Sequence, residues 1–140
     1  MAGSVVTAEV SAASLSVDAL LAAATTAQVG GVGLFVGVVR DHNDGRQVTC
    51  LDYEAHPAAA QAMRVCAERV ATEFDVVRVA VSHRVGRVAV GEVAVVAAVG
   101  AEHRGDAMDA CRALIEAVKA EVPIWKREHL VGGGSVWVGS

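Results

Sequence analysis

Hydrophobic and polar residues alternate along several segments of the chain, and such alternation is typical of half-buried β-strands. The run of residues 30–40 is apolar on both sides, which predicts a strand buried on both faces. A polar loop over residues 41–46 follows, and we expect this strand to form a hairpin with the next one. The other predicted strands cover residues 4–10, 47–54, 76–85, 92–99, 124–130 and 135–138, with a turn at 86–91.

Three segments carry apolar residues at helical spacing instead. Ser16 or Asp18 caps the first helix, Pro57 fits the first turn of the second, and Pro123 ends the third. The strands occur in pairs without regular βαβ alternation, which predicts an α+β fold with a largely antiparallel sheet. The predicted helices cover residues 16–26, 57–74 and 104–120.

Length and composition indicate one folded domain over residues 1–140. With 54% apolar and 20% charged residues and a mean hydropathy of +0.43, the chain has enough apolar material for a core, which argues against disorder. The longest nearly uncharged run, residues 88–101, is shorter than the ~18 residues that span a bilayer. The first basic residue is Arg40, so no secretory signal is indicated and we expect a cytoplasmic protein.

The basic residues give the first indication of a functional site. Of the 12 basic residues only two are lysines, and these, Lys119 and Lys126, lie close together in the chain. A lysine can lose its proton when it is desolvated, whereas an arginine cannot. A chain that otherwise uses arginine therefore has a chemical reason to carry lysine at these two positions. A chain reversal at Pro123 would allow both amines to reach one pocket. Two solvated lysines near a helix end are the simpler alternative.

Two further positions place cations where they can bind an anion. His103 and Arg104 precede the last predicted helix, where free backbone N–H groups, an imidazole and a guanidinium together resemble an anion site. A solvent-facing pair explains the same residues equally well. Arg40 lies at the end of an apolar strand and is a third candidate.

Several other kinds of site are not supported. Three cysteines without C-x-x-C spacing and five histidines without ligand spacing indicate no metal site. The glycines of residues 31–37 miss the G-x-G-x-x-G spacing of a dinucleotide site. The formal charge of −4 argues against a nucleic-acid protein, although Trp125, Lys126, Arg127 and Trp137 leave a nucleic-acid-binding hairpin as a minor alternative.

A series of motifs extends in order from near the beginning of the chain to its end. They are GVVRDHNDGR at 37–46, LDYEAHP at 51–57, HRVG at 83–86, GE at 91–92, AEHR at 101–104, KAEVPIWKRE at 119–128 and WV at 137–138. PIWKRE with its upstream lysine is a specific pattern. With this combination of motifs the chain resembles the MoaE family, whose members are the large, catalytic subunits of molybdopterin synthase.

The resemblance implies an α/β-hammerhead-like fold and a sulfurtransferase of molybdenum cofactor biosynthesis. In this family, cyclic pyranopterin monophosphate is converted to molybdopterin with two sulfurs from the C-terminal Gly-Gly thiocarboxylate of a small ubiquitin-like subunit. Two large subunits form a central homodimer within a heterotetramer. We expect no cofactor, no metal, no nucleic-acid partner and no membrane partner.

Carried over by motif, the resemblance implies that Lys119 and Lys126 are catalytic, with Lys119 beside the terminal glycine of the donor. Acid/base, charge-stabilising and covalent roles all remain open for them. The chain ends at Ser140, whereas many relatives continue, and the alternative is a weakly active or non-catalytic scaffolding paralogue that binds the small subunit. The residues implied to bind the substrate are Arg40, His103, Arg104, Arg127 and Glu128.

Overall fold

The computed structural model describes residues 3–139 and arranges them in three helices and nine strands. No helix within these residues is long and apolar enough to cross a membrane. The elements in chain order are β1 (Ser4–Ser11), α1 (Val17–Ala23), β2 (Gly31–Val38), β3 (His42–Asn43), β4 (Arg46–Ala55), α2 (Ala59–Glu73), β5 (Arg78–Arg84), β6 (Gly86–Ala89), β7 (Val93–Ala101), α3 (Arg104–Glu121), β8 (Ile124–Leu130) and β9 (Ser135–Gly139).

The first sheet has four strands in the order β1-β5-β7-β2. β1 is parallel to β5, and the other two pairs are antiparallel. α2 and α3 cover one face of this sheet, where Val79 and Val99 pack into the main core. α1 covers the other face over Ala80 and Val96. The two central strands are therefore buried on both faces.

The second sheet is antiparallel, with the order β3-β4-β8-β9 and with β6 also paired to β4. Successive side chains of a strand point to opposite faces. On β8, Glu128 points inward and is 1% exposed, whereas Trp125 points outward and is 46% exposed. This alternation decides which charged residues of β8 reach the interior of the protein.

The α+β content with mostly antiparallel strands agrees with the prediction. The pairing of β5 with β7 and of β8 with β9 was also expected from the sequence. Ser16 caps α1, since its Oγ accepts a hydrogen bond from the backbone N–H of Ala19 at 3.1 Å. These features depend on residues close together in the chain, which is why sequence patterns identify them.

Two local predictions are wrong, and a third is correct only in part. β2 is not buried on both faces, because it is an edge strand on which Leu34, Phe35 and Val38 are exposed. β2 also forms no hairpin with β4, because it pairs with β7 while β4 belongs to the second sheet. The segment predicted as a turn at 86–91 does turn at residues 90–91, but residues 86–89 form the short strand β6, which pairs with β4. An apolar pattern does not reveal where in a sheet a strand lies.

Candidate active site

A cavity of about 360 Å³ lies between the two sheets. Its walls come from the last residues of β2, the beginning of β7, the inner faces of β4 and β8, and the last turn of α3. Arg40, Lys119 and Lys126 line it with positive charge. A smaller cavity of about 50 Å³ is lined by Tyr53 and His83 together with the same two lysines.

The two lysines reach this cavity from different elements. Lys119 lies in the last turn of α3, and Lys126 lies on β8, after the chain has turned at Pro123. Although much of Lys119 is exposed, its side chain lines the cavity. Burial, and next the charge of Lys126, lower the pKa of Lys119 from its usual 10.5. Its ammonium therefore loses a proton more easily than that of a solvated lysine.

A series of hydrogen bonds joins Arg40 to β8. Nη2 of Arg40 donates to Oδ1 of Asn43 at 3.2 Å, and Nδ2 of Asn43 donates to Oε2 of Glu128 at 2.5 Å. Nη2 of Arg46 donates to Oε1 of Glu128 at 2.9 Å. Residues 44–45, both with positive φ, form the tight turn that pairs Asn43 with Arg46. The polar loop after β2 is therefore anchored to the second sheet.

Glu128 lines the cavity, but its carboxylate is already engaged. Both oxygens accept hydrogen bonds, one from Asn43 and one from Arg46. A buried charge needs such partners because the surroundings solvate it poorly. We therefore interpret Glu128 as the anchor of the loop, and its expected contact with substrate stays a prediction.

His103 and Arg104 do not lie at this cavity. His103 is the N-cap of α3 and Arg104 is its first residue, and both are exposed. Lys119 is near the other end of the same helix, so at about 1.5 Å per residue its Cα is about 22 Å from that of Arg104. Within one chain, His103 and Arg104 are therefore separate from the cations that line the cavity.

Arg127 lies on the outer face of β8. Its Nη2 is 3.5 Å from Oδ2 of Asp52, and its guanidinium carbon is 5.3 Å from the centre of the Trp137 ring. Hydrogen bonds from Arg87 and His129 hold the pKa of Asp52 well below its usual range. Arg127 thus belongs to an ionic cluster outside the cavity, and its expected role in substrate binding stays a prediction.

Sequence reasoning assigned no role to Tyr53 and His83. The rings of these residues meet edge to face, with centroids 5.0 Å apart, and both line the cavity. Burial raises the pKa of Tyr53 to about 12. Each residue belongs to a motif of the resemblance, LDYEAHP or HRVG, so the sequence contained a signal. The motifs alone did not reveal which of their members face a pocket.

Comparison with known proteins agrees with these motifs. The family model described as MoaE protein matches residues 10–121. The chain belongs to the MoaE family. This MoaE chain is 47% identical to molybdopterin synthase catalytic subunit 1 of Mycobacterium tuberculosis, over 89% of this chain and 85% of that protein. It is 38% identical to the molybdopterin synthase catalytic subunit of a Nostoc species, over 90% and 78%.

A solved structure of molybdopterin synthase from Staphylococcus aureus matches the MoaE chain with a TM-score of 0.87 at 29% identity. The match covers 94% of this chain and 96% of that one. The predicted fold class is thereby confirmed. The names of the relatives confirm the predicted enzyme class, molybdopterin synthase in molybdenum cofactor biosynthesis.

Proposed function

We propose that the chain converts cyclic pyranopterin monophosphate to molybdopterin with two sulfurs from the C-terminal Gly-Gly thiocarboxylate of a small ubiquitin-like subunit. The observation that carries this proposal is the convergence of Lys119 and Lys126, from α3 and β8, on one cavity. The relatives are named catalytic subunits, which supports an assembly with at least one further subunit.

The charges of the cavity suit two anionic reactants. A thiocarboxylate and a phosphate are both negative at neutral pH, and Arg40, Lys119 and Lys126 offer positive charge although the whole chain carries −4. Glu128 faces the same cavity, but Arg46 compensates its charge. Solvent screens the attraction between cations and anionic reactants less in a cleft than on an open surface.

Lys119 is the proposed catalytic residue beside the terminal glycine of the donor. Its lowered pKa increases the share of neutral amine, the form that accepts a proton or attacks an acyl carbon. In its protonated form the same group stabilises negative charge on an acyl oxygen. Lys126 is the second proposed catalytic residue, and its charge favours the neutral form of Lys119. Acid/base, charge-stabilising and covalent routes all need Lys119 near the acyl carbon.

His103 and Arg104 enter the proposal through a second copy of the chain. Among residues 3–139, β2 is a free edge of the first sheet, and three large apolar residues along it, Leu34, Phe35 and Val38, are exposed. Phe35 and Val38 also line the cavity. A second copy on this edge would cover these side chains and reach the rim of the cavity.

The direction of β2 supports this arrangement. A Cβ atom added to Gly31, at the start of β2, would lie 3.4 Å from Cα of Arg104, whereas Val38, at the end of β2, lies at the cavity. If two copies of β2 pair antiparallel across a two-fold axis, the start of each strand lies beside the end of the other. His103 and Arg104 of each copy would then approach the cavity of its partner. One small subunit per large subunit would complete the proposed heterotetramer.

Single-turnover mass spectrometry tests the proposed reaction. The protein is mixed with the thiocarboxylated small subunit and cyclic pyranopterin monophosphate, and the dithiolene product is measured. We expect product with the wild type and at least an about 100-fold loss of rate in Lys119→Ala. Arg112→Ala is the matched control, because Arg112 lies on the same helix with its side chain exposed to solvent, and it should keep the wild-type rate.

Three outcomes are distinguishable. Full turnover by Lys119→Ala would contradict the catalytic role of that lysine. Binding of the small subunit by the wild type without product would favour the scaffolding alternative. Loss of rate in Arg112→Ala as well would mean that any change on α3 disturbs the site. The cytoplasmic location stays a prediction.

A further inference from the structure

His83 is a buried titratable residue that the proposed roles of the lysines do not use. It lies near the end of β5, is 5% exposed, and lines both cavities beside Lys119 and Lys126. A buried histidine is often only a satisfied core residue. The state of its two ring nitrogens distinguishes that structural role from a chemical one.

One hydrogen bond fixes the tautomer of this ring. Nδ1 of His83 lies 2.7 Å from the carbonyl oxygen of Arg84, and a carbonyl only accepts, so Nδ1 carries the hydrogen. Nε2 of the neutral ring then has a free lone pair. Within residues 3–139, Nε2 makes no hydrogen bond. The edge-to-face contact with Tyr53 holds the ring in this orientation.

The surroundings favour the neutral form of the ring. Burial lowers the pKa of His83 below its usual 6.5; the Arg84 carbonyl opposes this, and the charge of Lys119 adds to it. β1 and β7 place Val10 and Val95 beside it, which are uncharged. Next to it in the chain is Arg84, which is ion-paired with Glu92. The other charged or titratable residues that line the cavity with it are Lys119 from α3, Lys126 and Glu128 from β8, Tyr53 from β4, Arg40 after β2 and His42 from β3.

The carboxylate and amide oxygens around the cavity are engaged. Glu128 accepts from Asn43 and Arg46, and Oδ1 of Asn43 accepts from Arg40. The exposed His42 pairs with Asp41 at 2.8 Å. The Tyr53 hydroxyl, with a pKa of about 12, stays protonated. Apart from the neutral form of Lys119, Nε2 of His83 is therefore the side-chain acceptor that is free to take a proton in the described part of the cavity.

We propose that His83 is a further catalytic residue, the general base for the water that releases the donor tail. This rests on the proposed function. Once the sulfur is bonded to a pterin carbon, it is still bonded to the acyl carbon of the donor. Water attacks that acyl carbon and gives one proton to Nε2. The bond between the acyl carbon and the sulfur breaks, and its electron pair leaves with the sulfur, which stays on the pterin. The carboxyl group formed on the tail releases the second proton of the water to solvent, so the tail leaves as a carboxylate, and Nε2 returns its own proton to solvent.

His83→Asn is the informative variant, because an asparagine amide can still donate near the position of Nδ1 while Nε2 is lost. The reaction is the single-turnover mixture described above, followed by intact-mass spectrometry between about pH 5 and pH 8. We expect about 100-fold slower release in the variant and accumulation of a species in which the small subunit is joined to the pterin through sulfur. The wild-type rate should fall as the pH falls through the lowered pKa of His83, and the variant should lack this fall.

The outcomes separate this proposal from the proposed function. Wild-type release by a folded His83→Asn protein, without the joined species, would overturn the role of His83 and leave the proposed function intact. If His83→Asn does not fold, a folded His83→Gln protein decides in the same assay, and release at the wild-type rate by that variant would overturn the role. Absence of both product and joined species with the wild type would overturn the proposed function, and this proposal with it.

Discussion

Neutralising Glu128 should release the loop that carries Arg40. In Glu128→Gln the side chain keeps its size, but it loses its charge and presents an NH₂ group to one of its two donors, Asn43 or Arg46. A hydrogen bond to a charged group contributes about 1.5–3 kcal/mol. The side chain of Arg46 is 33% exposed, so water replaces part of the lost hydrogen-bond energy. We therefore expect the free energy of unfolding to fall by about 2–3 kcal/mol.

Glu121→Gln provides the matched control. Glu121 also pairs with an arginine, Arg69, but both side chains are exposed, and such surface pairs contribute little. Urea unfolding followed by circular dichroism gives the free energy of unfolding for both variants and the wild type. The Glu121→Gln value should stay close to that of the wild type, while the Glu128→Gln value should be clearly lower.

The same change should weaken the binding of anions. Arg40 is held by Asn43, which is in turn held by Glu128, so a free loop makes Arg40 a poorer ligand. Calorimetric titration with inorganic phosphate should show weaker binding to Glu128→Gln than to Glu121→Gln. Equal stability of the two variants, or unchanged phosphate affinity in Glu128→Gln, would refute the reasoning that the buried carboxylate positions the loop.

Two further results are expected. A Cβ atom at Gly33 would lie 2.3 Å from the carbonyl oxygen of Ala107, so Gly33→Ala should lower the free energy of unfolding by about 1–3 kcal/mol. A Cβ atom at Gly105 would meet open space instead. Gly105→Ala should stabilise by up to about 0.5–1 kcal/mol in thermal unfolding, and effects of equal sign would contradict the packing argument. Mixed dimers reassembled from Lys119→Ala and Arg104→Ala chains should regain turnover. One of the two cavities in each mixed dimer would contain an intact Lys119 together with an intact Arg104 from the other chain. No recovery in verified mixed dimers would contradict a shared site.

The sequence predicted the parts of the fold and site that depend on local patterns. The cap at Ser16 and the pairing of β5 with β7 follow from neighbouring residues. The rarity of lysine indicated Lys119 and Lys126, and the structure brings both to one cavity. The partner of β2 depended on strands more than fifty residues away, which alternation does not specify.

The sequence already contained the information that separates Arg127 from Lys126 and Arg104 from Lys119. Both Lys126 and Arg127 were assigned to the site, but consecutive residues of a strand face opposite sides, so the prediction of β8 as a strand already implied that only one of them faces a given pocket. The predicted helix was likewise long enough to keep Arg104 far from Lys119. The motifs grouped these residues because they occur together in a family, whereas the geometry of a single chain separates them.

The segment that connects α3 to β8 restricts where the chain can tolerate insertions and deletions. One residue inserted between Lys119 and Pro123 would turn the helix face by about 100° or shift the start of β8. One residue inserted within β8 before Lys126 would send that lysine to the outer face. Insertions and deletions among relatives should therefore avoid this segment and fall instead in connections such as residues 131–134, where three glycines with positive φ form a turn remote from both amines.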